Sequence, residues 1–334
     1  MENTIEFGGN KLTPEQFNSV ILSDIRNTQE GGQCKLAAEA GNSYIRMQVF
    51  EEGFTRRILP AETIDYSELD AFANTDVPGK ILEVEPTQSV AVSGPFDRAT
   101  GVLFYAAPKA TVYFYDIKTP KFEKNEKTIN TYKMDIRKIV MDNALKSITK
   151  QEDADFITLT DQALLNGGAE VTFLGGLNRS SIVEMAKLMG KQNLPQGTVL
   201  TNNSTFLDFC KMGRNAWGGD QAQDLLRKGP EGMGDPVMCG MKFISTYKSD
   251  IIPDNIAYIY TQPDYLGKFY ELVEPTMYVE KKQDRIRMEA METIGMTIVN
   301  TRGVAKIKLF GSATSANTPY PIPGTYKPAA VTVS

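Results

Sequence analysis

The 334-residue chain contains no histidine. Without imidazole, histidine-dependent triads are excluded, as are most zinc and non-haem iron sites. Catalysis by Asp, Glu, Lys, Tyr or Ser–Lys pairs stays open to it. Cysteine is scarce. Cys34, Cys210 and Cys239 stand far apart with no CxxC pair. That spacing argues against a structural zinc or iron–sulfur site, and an odd count suits a reducing cytoplasm. No apolar run approaches the ~18 residues of a membrane span. The opening MENTIEFGGNKLTPEQ lacks the basic start and apolar centre of a signal peptide. A basic excess is missing too: 36 Lys and Arg stand against 41 Asp and Glu, a net charge of −5. No nucleic-acid-binding face is therefore evident overall, although residues 118–138 are locally rich in Lys and Arg.

What is present is an ordinary globular composition, 41% hydrophobic and 23% charged. The length suits two domains or one elaborated domain. In LTPEQFNSVILSDI, residues 12–25, Thr13 as cap and Pro14 in the first turn predict a short helix. A second helical stretch is expected within residues 34–52. From residue 78 the pattern turns to β. GKILEVEP and ATVYFYDI flank the turn-rich SGPFDRATG and predict a long β-hairpin or extended loop across about residues 78–119. Residues 131–165 carry the strongest helical period: Ile136, Val140, Ala144 and Ile148 recur every four residues, and Asn166-Gly167-Gly168 marks the stop. Further on, SSIVEMAKLMG predicts a helix capped by Ser180 or Ser181 with Glu184 in a capping box, TVLTNN a strand, and STFLDFCKMG a helix capped by Ser204. Strands follow at NIAYIYT, GKFYELVEP, DRIRMEAMETIGMTIVN and VAKIKLF, and METIGMTIVNTRGVAKIKLF has the look of a hydrophobic hairpin. The tail from residue 313 is rich in Pro, Ser and Thr and is expected to be extended.

Candidate chemical sites are few, and each has a plainer reading that outweighs it. Arg56 and Arg57 in FTRRILP read as a solvated pair at a helix exit, with an inter-subunit ion pair as the sharper reading. Glu152, Asp153 and Asp155 read as a solvated helix face or an inter-subunit salt bridge, because neighbouring helical positions point apart. Gly229–Gly234 is glycine-rich without the Lys-Ser/Thr of a phosphate loop. Residues 175–181 open a helix whose amides can meet an anion, against the plainer reading of a capped turn. Trp217, the single tryptophan, reads as a loop or interface anchor rather than a base-stacking platform. No catalytic, cofactor-binding or metal-binding residue is therefore assigned, and the chain is expected not to be an enzyme.

The ordered combination of an early arm, a long β-loop, a long helix, an α/β insertion and late returning strands resembles the major capsid protein of tailed bacteriophages, of the Hong Kong 97-type fold. TYKMDIRKIVMDNALKSITKQEDADFITLTDQAL looks like its spine helix, EEGFTRRILP and DVPGKILEVEP like the region upstream, and METIGMTIVNTRGVAKIKL like the strands that close its peripheral domain. The likeness spans about residues 30–310. It implies an α+β fold with an N-terminal arm at 1–53, an extended β-loop with adjoining strands at 54–130, the spine helix of the peripheral domain at 131–175, an axial domain at 176–254, returning strands of the peripheral domain at 255–312 and an extended tail at 313–334. It also implies self-assembly into pentamers and hexamers of an icosahedral head shell around double-stranded DNA. The implied partners are a portal protein, a separate scaffold protein (about 130 residues before the spine leave no room for a large fused one), in some systems a decoration protein, and packaged DNA touched non-specifically. No cofactor and no membrane enter. The place of action would be the virion capsid, assembled in the host bacterial cytoplasm. The rival readings are an encapsulin-like cargo shell and, from another class, a soluble α/β enzyme working without histidine.

Overall fold

The computed structural model describes residues 5–7, 10–12, single positions between 16 and 39, and the stretches 53–70, 77–83, 109–125, 142–208, 236–282 and 285–310. Its strands are β1 (Ile5–Phe7), β2 (Asn10–Leu12), β3 (Ala61–Thr63), β4 (Gly79–Glu83), β5 (Lys109–Tyr113), β6 (Tyr115–Lys118), β7 (Phe122–Asn125), β8 (Ala169–Leu174), β9 (Gln196–Asn202), β10 (Val237–Met238), β11 (Met241–Thr246), β12 (Ile256–Thr261), β13 (Gly267–Lys282), β14 (Arg285–Ile298) and β15 (Val304–Phe310). The helices are α1 (Thr55–Ile58), α2 (Asp142–Leu165), α3 (Arg179–Lys191), α4 (Asn203–Phe206) and α5 (Pro263–Leu266). The chain divides into two compact units, Met1–Phe156 with Gly267–Val299, and Ile157–Leu266 with Asn300–Ser334.

The first unit is built on the long antiparallel ribbon β13–β14, paired from Gly267↔Ile298 to Lys282↔Arg285. β3 extends it on one side, and β6 and β7 both pair with β14 on the other. β4 and β5 form a separate antiparallel pair from Gly79↔Tyr113 to Glu83↔Lys109. This is the base of the hairpin expected across 78–119, whose middle lies outside the described residues. Alternation explains which side chains go in: Val112 and Phe114 are buried with Ile64, Tyr270 and Leu272, while Tyr113 between them is exposed. Toward the start, β1 pairs with β2, a ladder the sequence pattern did not announce. Leu12 therefore belongs to a strand, while Gln16, Ser19, Val20, Ser23 and Asp24 of the expected 12–25 helix are helical.

The second unit holds a mixed six-stranded sheet in the order β10-β11-β9-β12-β15-β8. One face buries Val199, Phe243, Ile259 and Ile307 against Ile182, Met185 and Met189 of α3. From the other face Tyr258 donates to Asp161 at 3.3 Å, and the Tyr260 hydroxyl bonds Thr160 at 3.2 Å, both on the last turns of α2. The cap of α3 differs from expectation. Asn178, extended at φ −141°, accepts from the Ser181 amide, and the Ser181 hydroxyl accepts from the Asn178 amide, so Ser181 is the third helical residue and not the cap. Glu184 pairs with Lys187 instead. Asn178→Ala should cost about 1 kcal/mol in urea unfolding. The cap of α4 is likewise Asn202, accepting from the Ser204 amide, rather than Ser204.

The long helix runs over 24 described residues, about 36 Å; residues 131–141 of the expected helix lie outside the described residues. It stops where glycine permits: Gly167 sits at φ +143°, and the Gly168 amide donates to the Ala163 carbonyl at 3.1 Å.

The segment METIGMTIVNTRGVAKIKLF is not a hairpin. β14 stays in the ribbon sheet, whereas β15 pairs antiparallel with β12 and parallel with β8. The glycine-containing turn between them is a 3₁₀ turn, Thr301–Gly303, capped by the Asn300 side chain accepting from the Arg302 amide. Both strands are strongly apolar because each has neighbours on both sides in its own sheet, which is what an interior strand requires.

Candidate functional site

Two groups that the sequence placed on solvated surfaces meet each other inside the first unit. Arg56 on α1 is 6% exposed, and Glu152 and Asp153 on α2 are 0% exposed. The guanidinium of Arg56 donates to Glu152 at 2.6 and 3.1 Å, to Glu271 of β13 at 3.2 and 3.3 Å, and to Glu292 of β14 at 3.3 Å. Its plane also lies 5.4 Å from the Phe269 ring centre. Beside it, Asp153 accepts from both the amide and the hydroxyl of Thr55, at 3.0 and 2.7 Å. A carboxylate from a helix 98 residues away thus serves the first turn of α1, which has no side-chain cap of its own. Asp155, half-buried, accepts from the Tyr115 hydroxyl at 3.0 Å.

Local geometry explains how three carboxyl groups reach one cation. Glu271 pairs across the ribbon with Ile294, and Glu292 lies two residues from Ile294, so the period of two puts both glutamates on one face. On α2, Glu152 follows Ile148 and precedes Phe156 at four-residue spacing, on the stripe that faces inward. The fork of the guanidinium, with donors spread in one plane, suits several partners at once.

Among the described residues the electrostatics of this group are unbalanced: one guanidinium faces three carboxyl groups. Burial works against the charge on Arg56, yet Glu152, Glu271 and Glu292 outweigh it and hold the guanidinium firmly protonated. Burial, joined by the nearness of Glu152, raises Glu292 well above the usual carboxyl range. Burial also raises Glu152, against the pull of Arg56. One oxygen of Glu292, Oε1, is buried with no hydrogen-bond partner. This arrangement ties a helix to a sheet; it offers no open position for a substrate. Among the described residues no group of three or more Cys, Asp or Glu could hold a metal, and no helix is long and apolar enough to cross a membrane.

The remaining candidates separate. Arg57 is half-buried. The 175–181 stretch is a capped helix start. Trp217 and the Gly229–Gly234 loop lie outside the described residues. Sequence reasoning did not single out Glu271 and Glu292. A signal was there: each glutamate interrupts an apolar alternation, in FYELV and in MEAMETIGM.

No protein-family model matches the sequence, and no curated protein does. Solved structures do. The capsid of the cyanophage P-SCSP1u aligns over 93% of this chain and 94% of its own, with a TM-score of 0.54 and 12% identity. The mature capsid of bacteriophage PhiM1 aligns over 78% of this chain and 88% of its own, at 0.54 and 9% identity. A virus-like particle from Pyrococcus furiosus aligns over 81% of this chain and 98% of its own, at 0.52 and 13% identity. The chain has the tailed-phage major capsid fold. Within this Hong Kong 97-type fold α2 is the long helix, and the ionic cluster joins that helix to the long ribbon.

Proposed function

We propose that the chain is a major capsid protein whose copies close into an icosahedral shell around double-stranded DNA. The observation that carries this reading is the likeness to the cyanophage capsid over nearly the whole of both chains. In this role the residues before α1 are the arm, β4–β5 and the residues between them the extended loop, the ribbon with α2 the peripheral domain, and the six-stranded unit the axial domain; β12 and β15, expected within 255–312 among the returning strands of the peripheral domain, go with the six-stranded sheet in which they pair. The function is structural, and the ionic cluster is a brace. Tyr66 and Tyr113, 67% and 45% exposed, belong to the region beside the root of the β-loop, and exposed tyrosines of this kind are enriched where subunits meet. Contacts that are each modest but repeated around closed rings give a shell its stability. A net charge of −5 keeps free subunits soluble. The DNA is enclosed rather than read, with a separate scaffold and a portal protein as partners, and assembly takes place in the host cytoplasm.

The test is negative-stain electron microscopy of the protein expressed alone and with candidate scaffold proteins. Closed shells, tubes, or rings of five and six are expected. A monodisperse monomer or dimer under every condition overturns the reading, and shells filled with one host protein point to a cargo container instead.

A further inference from the structure

Among the described residues, the joint between α1, α2 and the β13–β14 ribbon gathers three glutamates around one guanidinium, that of Arg56. Arg56, Glu152, Glu271 and Glu292 have side chains 0–5% exposed and share one guanidinium within 3.3 Å. Asp153 adds a fourth buried carboxyl group, already engaged by Thr55, and Asp155 with Tyr115 lies at the edge of the group. Such a set cannot all be ionised in a site shut off from water. Glu152 holds the two-nitrogen contact with Arg56, and Glu271 receives two bonds. Glu292 receives a single long one and has an unpartnered buried oxygen.

We propose that this joint is a proton-loaded latch. Glu292 carries a proton, and loss of that proton releases α1 and α2 from the ribbon. While the proton stays, Glu292 is neutral and the negative charge crowded around Arg56 is smaller by one. When it leaves, charges of like sign press on each other across the joint with no solvent to screen them. The latch is a property of the single subunit and stands apart from the shell reading.

The sign of the pH dependence follows. In the unfolded chain Glu292 ionises in the ordinary glutamate range, whereas in the fold it keeps its proton to higher pH. Between those limits the folded state binds more protons than the unfolded one. The stabilisation is complete below the ordinary range and is lost as pH rises through the raised value.

The test is urea unfolding of the purified protein across pH, comparing wild type with Glu292→Gln. The amide keeps the shape and cannot ionise. The wild-type unfolding constant should climb by up to about tenfold per pH unit relative to the variant, one proton's worth. Amide exchange in residues 148–156 and 291–294 should rise with pH more steeply in wild type than in Glu292→Gln at the same pH. Parallel pH profiles for the two proteins overturn the latch. Infrared spectra of the wild type decide the matter even if the variant fails to fold. A buried carboxylic-acid carbonyl band that persists above the ordinary glutamate range and bleaches as pH rises further is expected, and its absence overturns the proposal.

Discussion

Arg56→Ala should destabilise the chain by about 3–5 kcal/mol, the cost of removing one partner from a buried ion cluster. The loss exceeds that of an ordinary surface arginine, whose ion pairs contribute about 0–1 kcal/mol. With the guanidinium gone, three carboxyl groups within 3.3 Å of its former position remain buried. They must take up protons or draw in water. The variant's deficit should therefore grow as pH rises and shrink toward acid, where the carboxyls are neutral at small cost. Arg56→Lys should recover only part of the loss, because a single ammonium lacks the planar fork that serves three partners. Adding Glu152→Gln to Arg56→Ala should restore some stability by removing one orphaned charge, a coupling that a double-mutant cycle measures directly. Urea unfolding at several pH values checks all of this. A deficit below about 1 kcal/mol would mean that the cluster is solvated and that the brace does not exist. In cells such a loss lowers the folded population several-fold, so the yield of folded protein should fall.

The same cluster shows what a single sequence conveys and what it hides. The four-residue series through Ala144 and Ile148 continues through Glu152, Phe156 and Thr160, and every one of these is buried. Periodicity alone thus placed Glu152 on the inward stripe; its charge argued for the surface. The contradiction was legible, but its resolution lay elsewhere. The partners of Arg56 lie 96, 215 and 236 residues away, and no local pattern encodes which distant cation meets a buried acid. Strand order was hidden for a related reason. The apolar runs over β14 and β15 announced two interior strands, but a hairpin and two separate sheets satisfy the same run. Only the 3₁₀ turn held by Asn300 separates them. What the sequence did convey were the elements fixed by local chemistry: the stop at Gly167, the strand at TVLTNN, which begins two residues earlier at Gln196, and strands at GKILE and KATVY, which pair with each other.

Gly197→Ala should cost about 3 kcal/mol, high in the range for overpacking, although it adds a single methyl group. Thr198 pairs with Tyr260, but the next pair along is Gln196 with Thr261, so Gly197 is the extra residue of a bulge between β9 and β12. A Cβ there would lie 2.4 Å from the carbonyl carbon and oxygen of Thr261 and 2.7 Å from the Gln262 amide nitrogen. All three are backbone atoms, so no side chain can swing away. The strand cannot slide either, since the Thr261 hydroxyl is tied to the Pro195 carbonyl at 2.8 Å and Pro263 starts the next helix. Relief requires moving β12, whose Ile259 and Tyr260 are each 0% exposed on opposite faces of the sheet. The strain therefore reaches both layers of the second unit. Gly190→Ala is the matched control. That glycine lies in α3 with nothing within 4 Å of an added Cβ, and there alanine should stabilise by up to about 1 kcal/mol through helix propensity. The two substitutions add the same atom and should shift the urea midpoint in opposite directions. Equal shifts would mean that the close approach of β9 and β12 is not what requires glycine at position 197.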